Sequence, residues 1–179
     1  IVGDATINGS ETGTSFKQAL YFKEIGFNLH DTMIYSKAGF AFPSIGRYHQ
    51  TFEYVFILSK DKPNTFNPII DRKNVYKKRG GDCKRQRDGS MKKGSKGGLP
   101  LNKYGMRYNI WHYKIGGGNV TQDKIAYNHP AIFPEKLAED HIISWSNEGD
   151  IVYDPFMGSG TTAKMSILNN RNWIGSEIS

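Results

Sequence analysis

The sequence predicts an α/β fold, and three observations carry that expectation. The run IVYDPFMGSGTT at residues 151–162 is a short apolar strand that breaks at Asp-Pro-Phe into a glycine turn and opens into a helix. Beyond that helix, NWIGSEI at residues 172–178 reads as a second short strand. Toward the other end, a helical pattern at about residues 16–25 is followed by two strand-like runs, at residues 29–35 and 52–58. A length of 179 residues suits a single domain that can bury a real core.

Taken in order, Thr14 and Ser15 are able to cap the first helix. Phe16, Ala19, Leu20, Phe22 and Ile25 give it a largely apolar stripe, and Gly26 stops it. The two strands that follow are joined by the loop AGFAFPSIGRYHQ. From Lys60 to Arg107 the apolar periodicity disappears and fifteen Lys or Arg stand against four Asp, a local balance of +11 that exceeds the +7 of the whole chain. The remainder is therefore slightly acidic. Positive charge interspersed with Tyr76, Tyr104 and Tyr108 suits nucleic-acid phosphates, and Lys77, Lys78, Arg79, Lys84, Arg85 and Arg87 are the candidate contacts. A solvated segment that orders only on DNA is the alternative, above all for residues 80–98. Residues 107–113 return to aromatic, strand-like sequence, and the Gly triplet within residues 115–120 marks a loop. HPAIFP then leads into a helix with Pro134 at its start, Glu135 in its first turn, and Leu137, Ala138, His141, Ile142 and Trp145 on its inner face.

The glycine turn has the outline of a cofactor site. Gly158 and Gly160 permit positive φ and close approach of a ligand to the backbone, while Thr161 and Thr162 begin a helix whose free N–H groups face the pocket. A phosphate-binding loop needs Lys followed by Ser or Thr after its last glycine; here Thr161 and Thr162 intervene before Lys164. A dinucleotide fingerprint survives on spacing, because Ala163 occupies its third small position. Asp154 speaks against it, since a carboxylate at the strand tip repels a pyrophosphate and suits a cationic amine. Glu177, at the end of the next strand, is placed to accept hydrogen bonds from ribose hydroxyls. An amine at one end and a ribose at the other describe S-adenosylmethionine.

Composition narrows the class further. A hydrophobic content of 37% and a mean hydropathy of −0.57 are those of a soluble protein. No apolar run approaches the roughly 20 residues of a membrane span. Neither a signal peptide nor an internal repeat is visible. The lone Cys83 excludes an internal disulfide framework and fits a reducing cytoplasm, and with His112 it falls short of the four ligands of a structural metal site. Both ends read as cut, which leads to the expectation that the chain is a piece of a larger enzyme.

DPFMGSGTT followed by NWIGSEI resembles the cofactor motifs of the DNA methyltransferases that modify the exocyclic amino group of adenine or cytosine. HPAIFPEKLAEDHI, just upstream, resembles the other cofactor-side motif of that family, which in its permuted members directly precedes the glycine motif. The resemblance implies a permuted, Rossmann-like methyltransferase fold: a mixed sheet with helices on both faces and a basic recognition insert, placed at residues 60–120 within one partial domain spanning 1–179. It implies S-adenosylmethionine as cofactor, held by Phe133, Asp154, Pro155, Phe156, Gly158, Ser159, Gly160, Thr161, Thr162 and Glu177. It places His129 beside the cofactor in a structural role. FEYVFILSK resembles the motif after which target recognition begins, so Arg47, Tyr48, His49 and Phe52 at its edge become candidates to hold DNA or a flipped base.

The family also carries an Asp/Asn/Ser-Pro-Pro-Tyr/Phe motif that holds the target amine, and no Pro-Pro pair occurs in these residues. In members with this order the motif lies upstream of the strand IVGDA, so the catalytic residues are expected before Ile1. The implied activity is methyl transfer to a base amino nitrogen in DNA. A non-catalytic DNA-binding remnant and, more weakly, a nicotinamide-dependent oxidoreductase are the alternatives.

Overall fold

The computed structural model describes residues 1–39, 45–78, 83–93, 100–116, 118–129, 132 and 134–178. In chain order its elements are β1 (Thr6–Ile7), β2 (Ser10–Glu11), α1 (Thr14–Glu24), β3 (Asn28–Lys37), β4 (Phe52–Ser59), β5 (Arg72–Lys73), β6 (Cys83–Arg85), β7 (Met91–Lys93), β8 (Tyr104–Gly105) and β9 (Ile110–Tyr113). A 3-10 turn (Lys124–Asn128), α2 (Glu135–Trp145), β10 (Ile151–Asp154), α3 (Thr161–Leu168) and β11 (Asn172–Gly175) complete the order. The chain divides into two compact units, Ile1–Asn67 with Asn109–Ser179, and Pro68–Tyr108.

In the first unit, β3 is the centre of a three-stranded mixed sheet. It pairs antiparallel with β4 from Asn28↔Ser59 to Ser36↔Phe52, and parallel with β9 from Ile34↔Ile110 to Lys37↔Tyr113. A separate parallel pair, β10 and β11, runs from Ile151↔Asn172 to Asp154↔Gly175. Parallel strands need a crossover, and α3 supplies it. The α/β class expected from the sequence is therefore present, with the mixed sheet in two pieces among the described residues.

Two local expectations change. The first helix begins at Thr14, with Gly13 as its N-cap at φ 63, so Thr14 and Ser15 lie inside the helix and make no side-chain cap. Asp4 does that work from outside: its carboxylate accepts the Ser15 N–H at 3.0 Å, the Ser15 hydroxyl, and the Thr12 hydroxyl at 3.3 Å. These bonds hold the Asp4 carboxyl below its ordinary pKa. The expected apolar stripe is also largely uncovered, since only Ser15 and Ala19 are buried, whereas Phe16 is 53% and Leu20 66% exposed. Preceding the helix, only Val2 bridges to Tyr54. The chain then turns at Asn8 and Gly9, φ 50 and 79, into the β1–β2 hairpin. Asn-Gly flanked by short runs is the sequence signature of that turn.

α2 is gripped from two directions. Ala138 and Ile142 pack with Met165 of α3 and Val152 of β10. A second side meets β9: the Tyr113 hydroxyl donates to Asp140 at 2.8 Å, and the His141 ring lies 4.6 Å from Trp111. Asp140, which the helical pattern does not mark as inward, is 2% exposed because Tyr113 and Lys136, at 2.9 Å, satisfy its carboxylate. The strand Ile110–Tyr113 therefore belongs to the first unit. So do residues 60–67, where Asn67 donates its side-chain amide to the Ile143 and Ser146 carbonyls, both at 3.1 Å.

Burial lowers the His141 pKa to about 4 from 6.5, and its Nε2 has no hydrogen-bond partner among the described residues. The unfolded chain thus takes up this proton first. The stabilisation is complete above pH 6.5 and is lost as pH falls toward 4, by at most about 3 kcal/mol. Urea unfolding between these pH values should show an acid slope that His141→Leu reduces; an identical slope in the variant would place the acid sensitivity elsewhere.

The second unit, Pro68–Tyr108, is built from antiparallel pairings nested in sequence. The Arg107 N–H donates to the Ile69 carbonyl at 2.9 Å, β5 pairs with β8, Leu101 donates to the Lys77 carbonyl at 3.0 Å, and β6 pairs with β7. Some of its cations are structural. Arg72 stacks 4.5 Å from the centre of the Tyr108 ring, and Arg107 forms an ion pair with Asp71. This unit lies within residues 60–120, and charge marks the region without marking where strand pairing begins.

Candidate cofactor site and nucleic-acid surface

The parallel register of β10 and β11 brings the glycine turn and the end of the second strand together. Because Asp154 pairs with Gly175, Ser176 and Glu177 come alongside the turn. Ser176 donates its N–H to the Asp154 carbonyl at 3.1 Å and its hydroxyl to the Pro155 carbonyl at 3.0 Å, and Met157 donates to the Ser176 carbonyl at 2.9 Å. Glu177 Oε2 accepts the Gly158 N–H at 2.6 Å. Asp154 Oδ1 accepts the Phe156 N–H at 3.0 Å, and Oδ2 accepts the Thr162 hydroxyl at 2.6 Å. Each acid therefore orients the turn with one or both oxygens while keeping lone pairs for a ligand.

The glycines serve different ends. Gly160, at φ 83, is the N-cap of α3, and a Cβ there would meet nothing within 4 Å, so the space above it is open. At Gly158, φ 53, a Cβ would come within 3.1 Å of the His129 ring. His129 is thus seated directly on the turn. Gly175 was not singled out in the sequence, yet a Cβ there would collide with the Met157 side chain. Ser176 was also missed; the Gly-Ser pair between strand and acid is the only signal of either. Ser159 and Thr161 bring their hydroxyls within 3.3 Å of each other, Thr161 is buried, and Phe156 is 83% exposed beside the turn. Phe133 lies outside the described residues.

A cleft of about 500 Å³ lies along α2 between β4 and β10, with Val55, Leu58, Leu137, Trp145 and Val152 among its walls. Asp154 and Thr162 stand at its edge, but neither Gly158 nor Gly160 lines it. Its largely apolar walls suit polypeptide better than a charged cofactor. Among the described residues, β10 pairs only with β11, so its other edge faces this side with free backbone groups.

The nucleic-acid candidates fall in both units. Arg47 donates to the Gly9 carbonyl at 2.7 Å and to the Thr6 hydroxyl at 3.2 Å, and lies 3.7 Å from Glu11, so its guanidinium anchors the loop to the β1–β2 hairpin. His49 and Tyr48 are exposed. In the second unit Lys77, Lys78, Lys84, Arg85 and Arg87 are all exposed, and Arg79 lies outside the described residues. Among the described residues no helix is long and apolar enough to cross a membrane, and no group of His, Cys, Asp and Glu could hold a metal ion.

Comparisons with known proteins agree with this geometry. Residues 2–179 match the family described as DNA methylase, the N6/N4 methyltransferases. The orphan methyltransferase M.BamHII of Bacillus amyloliquefaciens is 62% identical over 182 residues, covering 100% of this chain and 68% of that protein. Among solved structures, the PvuII DNA methyltransferase (cytosine-N4-specific) superposes with a TM-score of 0.66 at 18% identity, over 99% of this chain and 57% of its own. The M1.HpyAVI–SAM complex superposes with a TM-score of 0.57 at 26% identity, over 95% and 65%. The chain thus spans little more than half to two thirds of the length of these proteins. With the family match running the length of the chain and through both the glycine turn and the HPAIFP segment, this protein belongs to the DNA methylase family.

Proposed function

We propose that the protein transfers a methyl group from S-adenosylmethionine to the exocyclic amino group of adenine or cytosine in DNA, with the base rotated out of the duplex. The observation that carries the reading is the pair of carboxylates, Asp154 and Glu177, bracketing a glycine turn with open space above Gly160. A cationic amine at Asp154 and ribose hydroxyls at Glu177 complement these charges, and Phe156, Ser159, Thr161 and Thr162 complete the seat with the turn backbone. Phe133 is assigned to the same pocket from its motif. The bound cofactor supplies an electrophilic methyl group on a cationic sulfur, so the protein's contribution is chiefly position. The test is transfer of tritiated methyl to duplex DNA by the protein carrying the catalytic motif, with the labelled base identified after digestion. Label on protein or RNA in place of DNA would reject the reading.

Residues 60–120 act as the target-recognition insert, with the compact unit Pro68–Tyr108 within it, and Arg47 and His49 flank the DNA path. Replacing Lys77, Lys78, Arg79, Lys84 and Arg85 with neutral residues should flatten the slope of log affinity against log salt by up to about 4, as phosphate contacts are lost. An unchanged slope in a fluorescence-anisotropy titration would make this a solvated segment instead. The amine-holding groups come from polypeptide outside these residues, and a strand laid along the free edge of β10 into the apolar cleft is a suitable carrier. The lone, exposed Cys83 is in keeping with the reducing cytoplasm, where such an enzyme meets DNA.

A further inference from the structure

The β6–β7 hairpin is built unlike the rest of the second unit. Every residue from Cys83 to Lys93 is exposed, so neither face is buried against the other described residues. A two-stranded ribbon without a buried face is marginal alone, yet this one has a well-formed tip. The Gly89 N–H donates to the Gln86 carbonyl at 3.0 Å, Gln86 donates to the Ser90 carbonyl at 2.7 Å, and Gly89 takes φ 86. This is a type I turn closed by a glycine bulge. Asp88 Oδ1 accepts both the Ser90 N–H, at 2.9 Å, and its hydroxyl, at 2.7 Å, so the single acid of the hairpin is used to lock the turn.

Its charge is arranged against its own stability. Lys84 stands directly opposite Lys92, and Cys83 opposite Lys93. Like charges facing across a strand pair repel, and no ion pair among the described residues relieves Lys84, Arg85, Arg87, Lys92 or Lys93. The repulsion is removed if a polyanion lies on both sides. Duplex DNA offers that in its major groove, about 12 Å wide, which admits a two-stranded β-ribbon between two phosphate walls. The tip then carries Gln86 and Arg87, side-chain types that make bidentate contacts with adenine and guanine edges.

We propose that the hairpin Cys83–Lys93 enters the major groove tip first, with Gln86 and Arg87 at base edges and Lys84 and Lys92 at the flanking phosphates. This rests on the DNA-methylating reading above and assigns to part of the basic insert a sequence-reading role. The first test measures binding of the full-length enzyme to plain duplex and to the same duplex carrying glucosylated 5-hydroxymethylcytosine, whose sugars fill the major groove. Affinity should fall roughly tenfold or more on the glucosylated duplex. The second test maps methylated positions in a randomised duplex library. Gln86→Ala and Arg87→Ala should each relax base preference by roughly tenfold at one position. Lys84→Ala and Lys92→Ala should each lower the salt slope by about 1 with the consensus intact. All four side chains are exposed, so folding is not at stake. Equal affinity for the two duplexes, or an unchanged consensus in both tip variants, overturns the proposal and leaves a phosphate grip only. If groove filling blocks binding but no methyl reaches DNA, the enzymatic reading fails and the hairpin stands. If methyl transfer proceeds on both duplexes with equal affinity, the hairpin reading alone fails.

Discussion

Asp154→Ala is expected to weaken S-adenosylmethionine binding by about 1.5–3 kcal/mol in the protein carrying the whole site, roughly tenfold to a hundredfold in Kd. Two effects contribute. The carboxylate is the proposed partner of the cofactor amine, and it also holds the Phe156 N–H and the Thr162 hydroxyl, at 3.0 and 2.6 Å. Asp154→Asn separates them, because an amide keeps an acceptor for the turn and loses the charge. Glu177→Ala should cost a similar amount, since the Gly158 N–H, 2.6 Å away, also loses its partner; Glu177→Gln keeps that acceptor. Methylthioadenosine, which has the ribose and lacks the amine, gives the cleanest contrast. Its affinity should survive Asp154→Asn and fall with Glu177→Ala. Calorimetric titration showing unchanged affinity for S-adenosylmethionine in both alanine variants would sink the assignment.

What was legible in the sequence was local chemistry backed by a period or a turn. The glycine turn was readable because Asp-Pro-Phe and Gly-Ser-Gly break a strand in a characteristic way, and α2 was readable because Pro134 starts a clear 3.6-residue pattern. The parts that escaped depend on contacts distant in the chain. Asp140 is buried by a tyrosine of β9, and Gly175 packs closely under the Met157 side chain of the turn. Neither pairing has a signature within a window of ten residues. The cap of α1 shows the same limit: Thr14 and Ser15 looked like caps by type, but Asp4 reaches the helix start through the β1–β2 hairpin. Charge in residues 60–107 marks a basic surface, yet it could not separate Arg72 and Arg107, which hold the second unit together, from the hairpin cations that form no ion pair among the described residues.

The largest expected effect concerns turnover itself: residues 1–179 alone should transfer no methyl group to DNA, whatever they bind. Transfer needs the amino nitrogen held in line with the sulfonium, and its lone pair is conjugated into the base until hydrogen bonds help redirect it. A positional error of about 1 Å can cost on the order of a hundredfold in rate, so loss of every holding group should cost far more. These residues supply the proposed seat for the cofactor and contain no Pro-Pro pair to hold the amine. Two polar groups of the first segment are otherwise engaged: Asp4 caps α1, and Asn8 forms the β1–β2 turn at φ 50. The measurement is a tritiated-methyl assay on mixed-sequence DNA, comparing residues 1–179 with a chain extended upstream through a Pro-Pro motif. Transfer by the extended chain alone is the expected outcome. Robust transfer by residues 1–179 would show that the amine is held by groups already present, and would place the catalytic centre at the polar edge around His49.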